Sequence, residues 1–465
     1  MSLKRPSQDP NKEDRRPSAK RRVGGDRDAQ ESSHESRDES NDDSEGVSDD
    51  NSSNGSSSSS SNSNSNSSGG SGSGSGSGNH LSLTQIAQMQ VLFQMNFDRF
   101  RGQDWLMPSG APFDRVLFGA IRDVHYECPL HSFVIENPDA VIDLFPDARD
   151  QAELKRVLVD RVGEQLPMLT AAEVAYLELF NMDPKELLEL FAEKGWRAVG
   201  DSLQEKPADD FQCLVYNSVH QLLKVYRGAS MVVCQGYPES WIVNRLWSFL
   251  ADALQSPPKV EFQPGKVPSQ ASMYRRNLDR SRDTHRIAGH EVDGIVTLAS
   301  RELELLVMVA TKKNKGPNIT KALDDRMKLC KLNKDMHDRI RLKTRHNVRK
   351  SIVTFGMQIS GVNATFFTLR QRDGRFYQLC SEGSETLPSA WMDLADTNCV
   401  MQTLNKVLTV RKALFSMARD VSKFTAGLAS DSSDTGSGKD FAAATMTSPQ
   451  LIPSSALDRP PWLGL

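Results

Sequence analysis

Hydrophobic positions divide the chain into a helical first half and a second half in which helices alternate with strands. Between residues 81 and 228, apolar residues recur every three or four positions, as on one face of an amphipathic helix. The clearest example begins at Asp209 and Asp210, carries apolar residues as far as Tyr226 and ends at Gly228. The pattern therefore predicts a mainly helical region over 81–228.

The pattern changes between residues 229 and 425. Residues 240–254 carry apolar side chains on one helical face, whereas 287–298 and 303–310 have strand character. The second strand is apolar throughout, which is typical of a strand buried on both faces. Residues 263–268 contain two prolines and a glycine and are predicted to form a loop. A long basic helix, further strands and a last helix complete an α/β pattern.

Both ends of the chain contain too little apolar surface to fold. Residues 51–78 are almost entirely Ser, Asn and Gly, a composition typical of a flexible linker. We therefore expect four segments. These are a disordered tail over 1–80, the helical region over 81–228, an α/β domain over 229–425 and a second disordered tail over 426–465.

The N-terminal tail also contains three short clusters of basic residues, namely Lys4-Arg5, Arg15-Arg16 and Lys20-Arg21-Arg22. Such clusters predict nuclear localisation and an import receptor as a partner, and the alternative is a solvated basic tail. The six cysteines are scattered, which favours a reducing compartment. No apolar run reaches the ~18 residues that a spanning helix needs, so we expect no membrane partner.

The basic helix is the strongest charge feature. Between residues 312 and 350 there are fourteen Lys or Arg and four acidic residues. This density predicts contact with a polyanion, and the alternative is a helix solvated by water. The residues predicted to bind nucleic acid are Arg275, Arg276, Lys328, Lys331, Lys334, Arg339, Arg341, Lys343 and Arg345.

Two further features carry candidate chemistry. Asp293 lies inside a predicted strand, where a carboxylate is costly to bury unless it is paired or binds a ligand. His125, Cys128 and His131 have the spacing of zinc ligands. Closed zinc sites use four ligands, however, and no second pair follows. The default interpretation of that segment is a partly buried loop.

The order of these elements carries a family resemblance. A helix with Glu239, a strand with Asp293, an apolar strand and a charged helix resemble the PD-(D/E)XK nuclease superfamily. More narrowly, the chain is similar to uncharacterised, lineage-expanded fungal proteins related to that superfamily, some of them compared with Crinkler-type nuclear effectors. The stretches that carry this similarity are Ser269-Gln270-Ala271-Ser272, Arg275-Arg276-Asn277, Gly289 to Asp293, Asp325 to Lys331 and Lys334-Asp335-Met336.

The resemblance covers residues 239–424 and implies a restriction-endonuclease-like mixed sheet flanked by helices. It implies that Glu239 and Asp293 hold Mg²⁺ or Mn²⁺ and that Lys312 is the catalytic lysine, if the protein is active. The next strand is expected to supply an acid and a lysine two residues apart. By alternation we expect Val309 and Thr311 at those positions, with Lys312 out of phase.

These observations predict a nuclear nucleic-acid-binding protein with an inactive nuclease-like domain and no cofactor. One alternative is an active nuclease that depends on Mg²⁺ or Mn²⁺. Another, from a different class, is a protein-interaction scaffold that uses the helices of 81–228. The sequence leaves the oligomeric state and the choice between DNA and RNA open.

Overall fold

The computed structural model describes residues 83–99, 105–122, 124, 128–160, 164–194, 210–228, 237–256, 259–278, 280, 284–299, 302–311, 319–344, 352–372, 376–390 and 397–426. All of them belong to one unit that spans 73–465. The predicted tail over 1–80 with its basic clusters, and the predicted tail over 426–465 except for Ala426, which ends the last helix, lie outside the described residues. Among the described residues, no helix combines the length and apolar character needed to cross a membrane.

The first half is helical, as the apolar spacing predicts. Its helices are α1 (Leu83–Arg99), α2 (Phe113–Arg122), α3 (Pro138–Ile142), α4 (Ala148–Leu154), α5 (Ala171–Glu178), α6 (Pro184–Lys194) and α7 (Asp210–Gly228). Local sequence sets the start of α5, because the Thr170 hydroxyl accepts the Glu173 amide and the Glu173 carboxylate accepts the Thr170 amide.

A seven-stranded mixed sheet forms the centre of the fold. Its strands are β1 (Val134–Ile135), β2 (Val260–Pro268), β3 (Glu291–Leu298), β4 (Leu303–Thr311), β5 (Val353–Ser360), β6 (Asn363–Gln371) and β7 (Tyr377–Thr386). Their order is β1-β7-β6-β5-β4-β3-β2. The pairs β1/β7 and β4/β5 are parallel and the other neighbours are antiparallel. The predicted α/β class, with a mixed sheet flanked by helices, is confirmed.

The remaining helices are α8 (Glu239–Trp241), α9 (Phe249–Ala253), α10 (Gln270–Asn277), α11 (Ile319–Lys343) and α12 (Asn398–Ala426). The continuous helix predicted over 240–254 is wrong, because a π-helical turn at Ile242–Leu246 separates α8 from α9. Trp247 follows this turn, is buried and donates its indole N–H to Gly361 O at 2.9 Å. The interruption of the helix therefore lies beside a tryptophan that is anchored to a residue distant in the sequence.

The loop predicted at 263–268 is also wrong, since these residues form the second part of β2. Pairing with β3 shifts register between Pro264 and Val267, which marks a β-bulge. β2 is the edge strand of the sheet, and a proline is tolerated there because one side of the strand needs no ladder partner.

Two hydrophobic clusters cover the opposite faces of the sheet. In β4, Met308 and Ala310 belong to the cluster shared with α7, α9 and α12, whereas Val307 and Val309 pack against α10 and α11. All nine residues of β4 are buried, so the predicted strand with two buried faces is confirmed. A third cluster links α1 to α4 with Met327 and Phe376.

Packing is continuous across the boundary predicted at residue 228. Leu222 and Tyr226 of α7 share one cluster with Leu246 and with Leu404 of α12. The buried Tyr226 hydroxyl also donates to Pro388 O at 2.7 Å. The division into a helical region and an α/β domain stays a prediction, but their apolar surfaces meet in a common core.

Candidate functional site

A cleft lies where α8, the start of β3, the end of β4 and α11 meet. It encloses about 460 Å³. Its charged lining consists of Glu239, Lys266, Glu291, Asp293, Lys321, Asp325 and Lys328. Backbone and small side chains, including those of Gly265 and Ala310, complete the wall.

The cleft brings together the two acids that the sequence singled out. Glu239 starts α8, directly after Pro238, and Asp293 lies on β3. Asp293 Oδ2 accepts the Ala310 N–H from the neighbouring strand at 2.8 Å. This hydrogen bond gives the half-buried carboxylate the partner that its position in a strand requires.

Three charged residues of α11 complete the site. Lys321, Asp325 and Lys328 follow one another at helical spacing, so they point to the same side of the helix. Lys321 Nζ lies 2.9 Å from Glu239 Oε2, which ties α11 to α8. The sequence analysis did not assign Lys321 or Asp325 to the site. The sequence signal that would have identified them is their spacing, four residues from Lys321 to Asp325 and three from Asp325 to Lys328.

Asp325 has an altered acidity in this setting. Burial raises the pKa of its carboxyl from 3.8 to about 6, against the opposing effect of Lys321 and Lys328. The nearby carboxylates of Glu239 and Asp293 raise the pKa further. The cleft therefore contains a carboxyl group that titrates near neutral pH.

The residue of β4 that lines the cleft is Ala310. Val309 packs in the cluster with α10 and α11, and Thr311 does not line the cleft. The pairing of Gly294 with Met308 sets Val309 opposite Asp293, on the same face of the sheet, so the expectation that Val309 and Thr311 occupy the positions of the acid and the lysine stays a prediction. Lys312 lies outside the described residues.

The donor atoms of the cleft do not fit a divalent metal ion as they are arranged. Glu239 is engaged by Lys321, and Asp293 Oδ2 is engaged by the Ala310 amide. Within the described residues, no three His, Cys, Asp or Glu side chains converge as metal ligands would. Val309 also offers no side-chain oxygen at the place where the resemblance implies a carboxylate.

Three of the six residues predicted to bind nucleic acid on α11 face inward. Lys331, Lys334 and Arg341 are buried, and so is Arg275 of α10. Arg275 Nε lies 2.7 Å from Asp335 Oδ1, and both side chains are almost fully removed from solvent. Neither interpretation of the basic helix, as a polyanion surface or as a solvated helix, anticipates this burial.

A polar network around Tyr377 provides partners for the buried charges of Lys334 and Arg341. Lys334 Nζ lies 2.7 Å from Asp338 Oδ2, and the Tyr377 hydroxyl donates to the same carboxylate. Arg341 Nη1 donates to the Tyr377 oxygen at 3.2 Å. Because α11 packs between the sheet and α10, its charged residues need partners inside the protein.

The other predicted nucleic-acid contacts remain accessible. Arg276 and Arg339 are half-buried, Lys328 lines the cleft and Lys343 is exposed. Arg345 lies outside the described residues. The pKa of His290 is lowered to about 4, first by burial and then by the cations of Arg276, Arg275, Lys331 and Lys328. His290 therefore reports a positive potential that extends from the cleft towards α10.

The candidate zinc segment is partly described. Cys128 and His131 are buried with Sγ and Nδ1 3.2 Å apart, whereas His125 lies outside the described residues. His131 Nδ1 accepts the Cys128 amide N–H at 3.0 Å, and burial lowers the pKa of this histidine to about 3. These contacts are those of a neutral histidine packed inside the protein.

Comparisons of the chain with protein-family models, with curated proteins and with solved structures found no match.

Proposed function

We propose that this protein binds nucleic acid in the nucleus through a nuclease-like α/β domain that does not cleave its ligand. The observation that carries the proposal is the cleft itself. Glu239 and Asp293, which the family resemblance singles out, line it together with Lys321 and Lys328. From α8 to β5 the order is α8, α9, β2, α10, β3, β4, α11 and β5, with β2, β3 and β4 antiparallel and β5 parallel to β4, and this order supports a restriction-endonuclease-like arrangement.

Charge indicates where a phosphate backbone would lie. Glu239 is neutralised by Lys321, which leaves Lys328 as a cation beside the half-buried Asp325. Arg276 is a half-buried cation of α10 that acts on His290 together with Lys328. We therefore assign phosphate contact to Lys328 and Arg276 rather than to the inward-facing lysines of α11. The basic clusters before residue 23 support import into the nucleus.

The apolar side chain of Val309, where the resemblance implies a carboxylate, supports the non-catalytic form of the proposal. A nuclease of this kind steadies the charge on the scissile phosphate with a bound ion, and the donors of this cleft do not converge on one. The second candidate is cleavage that depends on Mg²⁺ or Mn²⁺. Asp325 favours it, because this residue adds a third carboxyl group beside Glu239 and Asp293.

The test is binding of labelled single- and double-stranded DNA and RNA to the full chain, followed by fluorescence anisotropy over a range of salt. Each phosphate contact contributes about 0.7 to 0.9 to the slope of log affinity against log salt. We expect Lys328→Gln to lower that slope by about one unit. Lys423→Gln, which removes the same charge from an exposed position on α12, serves as the control.

Incubation of the same substrates with Mg²⁺ or Mn²⁺ separates the two candidates. Metal-dependent cleavage that disappears in Asp293→Ala would establish the nuclease and refute the non-catalytic proposal. Binding without cleavage supports it. If no substrate binds in a salt-dependent manner, the nucleic-acid function is wrong and the scaffold interpretation takes its place.

A further inference from the structure

Two stacked aromatic rings stand beside the cleft. Tyr237 and Trp241 have ring centroids 3.9 Å apart and planes only 12° from parallel. The residues between them, Pro238, Glu239 and Ser240, all line the cleft. Both rings therefore flank the segment that lines the cleft, although neither ring is itself among the lining residues.

The local backbone holds the stack in place. Pro238 has φ −67° and ψ 157°, and its carbonyl oxygen accepts the Trp241 N–H at 3.0 Å. Proline restricts the backbone at this turn, which limits the movement of Tyr237 relative to α8. Trp241 packs against the large hydrophobic cluster of the protein. The rings thus form a preorganised surface, fixed to the core at the tryptophan end.

The pair is stacked with its ring planes nearly parallel, which is one of the arrangements that aromatic side chains favour. Both residues are half-buried, so each keeps part of its surface accessible. A flat ring surface next to lysine side chains is the combination with which proteins bind unpaired bases, because the ring stacks on the base and the cation contacts the phosphate.

We propose that the Tyr237–Trp241 stack binds an unpaired nucleobase and that the ligand of the cleft is a single-stranded nucleic acid. This inference rests on the proposed function. Lys328 lines the same cleft and contacts a phosphate that adjoins the stacked base. A base pair in a duplex has its faces covered by its neighbours, so this surface favours single strands over duplexes.

The experiment compares three labelled ligands on the full chain. They are a short oligothymidylate, the same backbone with abasic sites in place of its bases, and a duplex of equal length. We expect Tyr237→Ala to lower affinity for the oligothymidylate by roughly 5- to 150-fold, since stacking of one base on an aromatic ring is worth that much. Affinity for the abasic strand and for the duplex stays the same. Tyr237→Phe retains binding, because the ring stacks without its hydroxyl.

Tyr216→Ala is the matched control, since Tyr216 is another half-buried tyrosine in contact with an aromatic ring but lies on α7 and does not line the cleft. If Tyr237→Ala weakens all three ligands equally, or none of them, the stacking site is refuted. A salt-dependent effect of Lys328→Gln would then leave the proposed function standing. If no ligand binds in a salt-dependent manner, both proposals fail together.

Discussion

Asp325 is the residue whose environment departs most from what its local sequence indicates. Nothing in the run of charges along α11 distinguishes it from Asp324, yet it lines the cleft and has a pKa near 6. The cause is its burial together with the carboxylates of Glu239 and Asp293, which come from other elements. The raised pKa of Asp325 is therefore a consequence of the tertiary structure and not of the local sequence.

This acidity predicts how binding depends on pH. As pH falls through 6, Asp325 gains a proton and the cleft loses a negative charge beside Lys321 and Lys328. Affinity for a single-stranded oligonucleotide therefore rises as pH falls from about 7 to 5. We expect Asp325→Asn to bind at pH 7 as the unmodified protein binds at pH 5, with a flatter pH profile. Asp324→Asn, which changes charge one residue away, retains the original profile. A profile unchanged in Asp325→Asn would contradict this assignment.

The buried ion pair between Arg275 and Asp335 gives a second prediction at this scale. Asp335→Ala removes one partner and leaves the guanidinium in a site with almost no access to water. Loss of one partner of such a pair costs about 3–5 kcal/mol of unfolding free energy. Chemical denaturation followed by circular dichroism measures it. Asp420→Ala, which breaks the exposed pair with Lys423 on α12, leaves the midpoint nearly unchanged. Equal midpoints for the two variants would show that the buried pair is not structural.

At the scale of elements, the contact between α11 and β5 determines how closely the charged helix α11 packs against the sheet. A Cβ atom at Gly356 would lie 2.6 Å from Asn333 Nδ2 and 2.9 Å from Leu329 Cδ2. The absence of a side chain on β5 lets α11 approach the sheet closely. That approach buries the middle of α11, including Lys334.

Gly356→Ala is therefore expected to destabilise the protein by about 1–3 kcal/mol, because the added methyl group forces α11 and β5 apart. Thermal and chemical denaturation measure this change. The control is Gly119→Ala in α2, where a Cβ would meet nothing within 4 Å. That variant is expected to stabilise the protein by up to about 1 kcal/mol, because alanine favours the helix. A stable Gly356→Ala protein would mean that α11 can shift without cost.

The type of most helices and strands could be predicted from the sequence, but where each of them packs in the fold could not. Continuous apolar character identified β4, and a capping box identified the start of α5. The prolines at the end of β2 led to the wrong prediction of a loop, because edge strands tolerate residues that central strands exclude. This segment is a strand because it pairs with β3, and its composition alone does not indicate that pairing.

At the scale of the whole molecule, the shared core connects the helical first half with the sheet. Leu222, Leu223 and Tyr226 of α7 fill the same cluster as Leu404 of α12. β1, from the first half, also pairs with β7. Each half therefore covers apolar surface that the other would expose alone.

This packing predicts the behaviour of fragments. A chain limited to 229–425 lacks α7 and β1, so we expect it to bind hydrophobic dyes and to unfold without a cooperative transition. A chain limited to 81–426 retains every described element and is expected to unfold cooperatively. Calorimetry and dye fluorescence distinguish the two outcomes. Cooperative unfolding of the 229–425 fragment would instead establish it as an independent domain.

The sequence by itself determined the class of the fold and the type of most elements, because these follow from local periodicity. It also singled out Asp293 as a carboxylate inside a strand, and Glu239 through the family resemblance. Only the tertiary structure decided which charges face water. Lys334 and Lys328 belong to one helix and have the same chemistry, yet one is paired inside the protein and the other lines the cleft. The difference depends on neighbours distant in the chain, such as Tyr377 and Glu239, which no local pattern specifies.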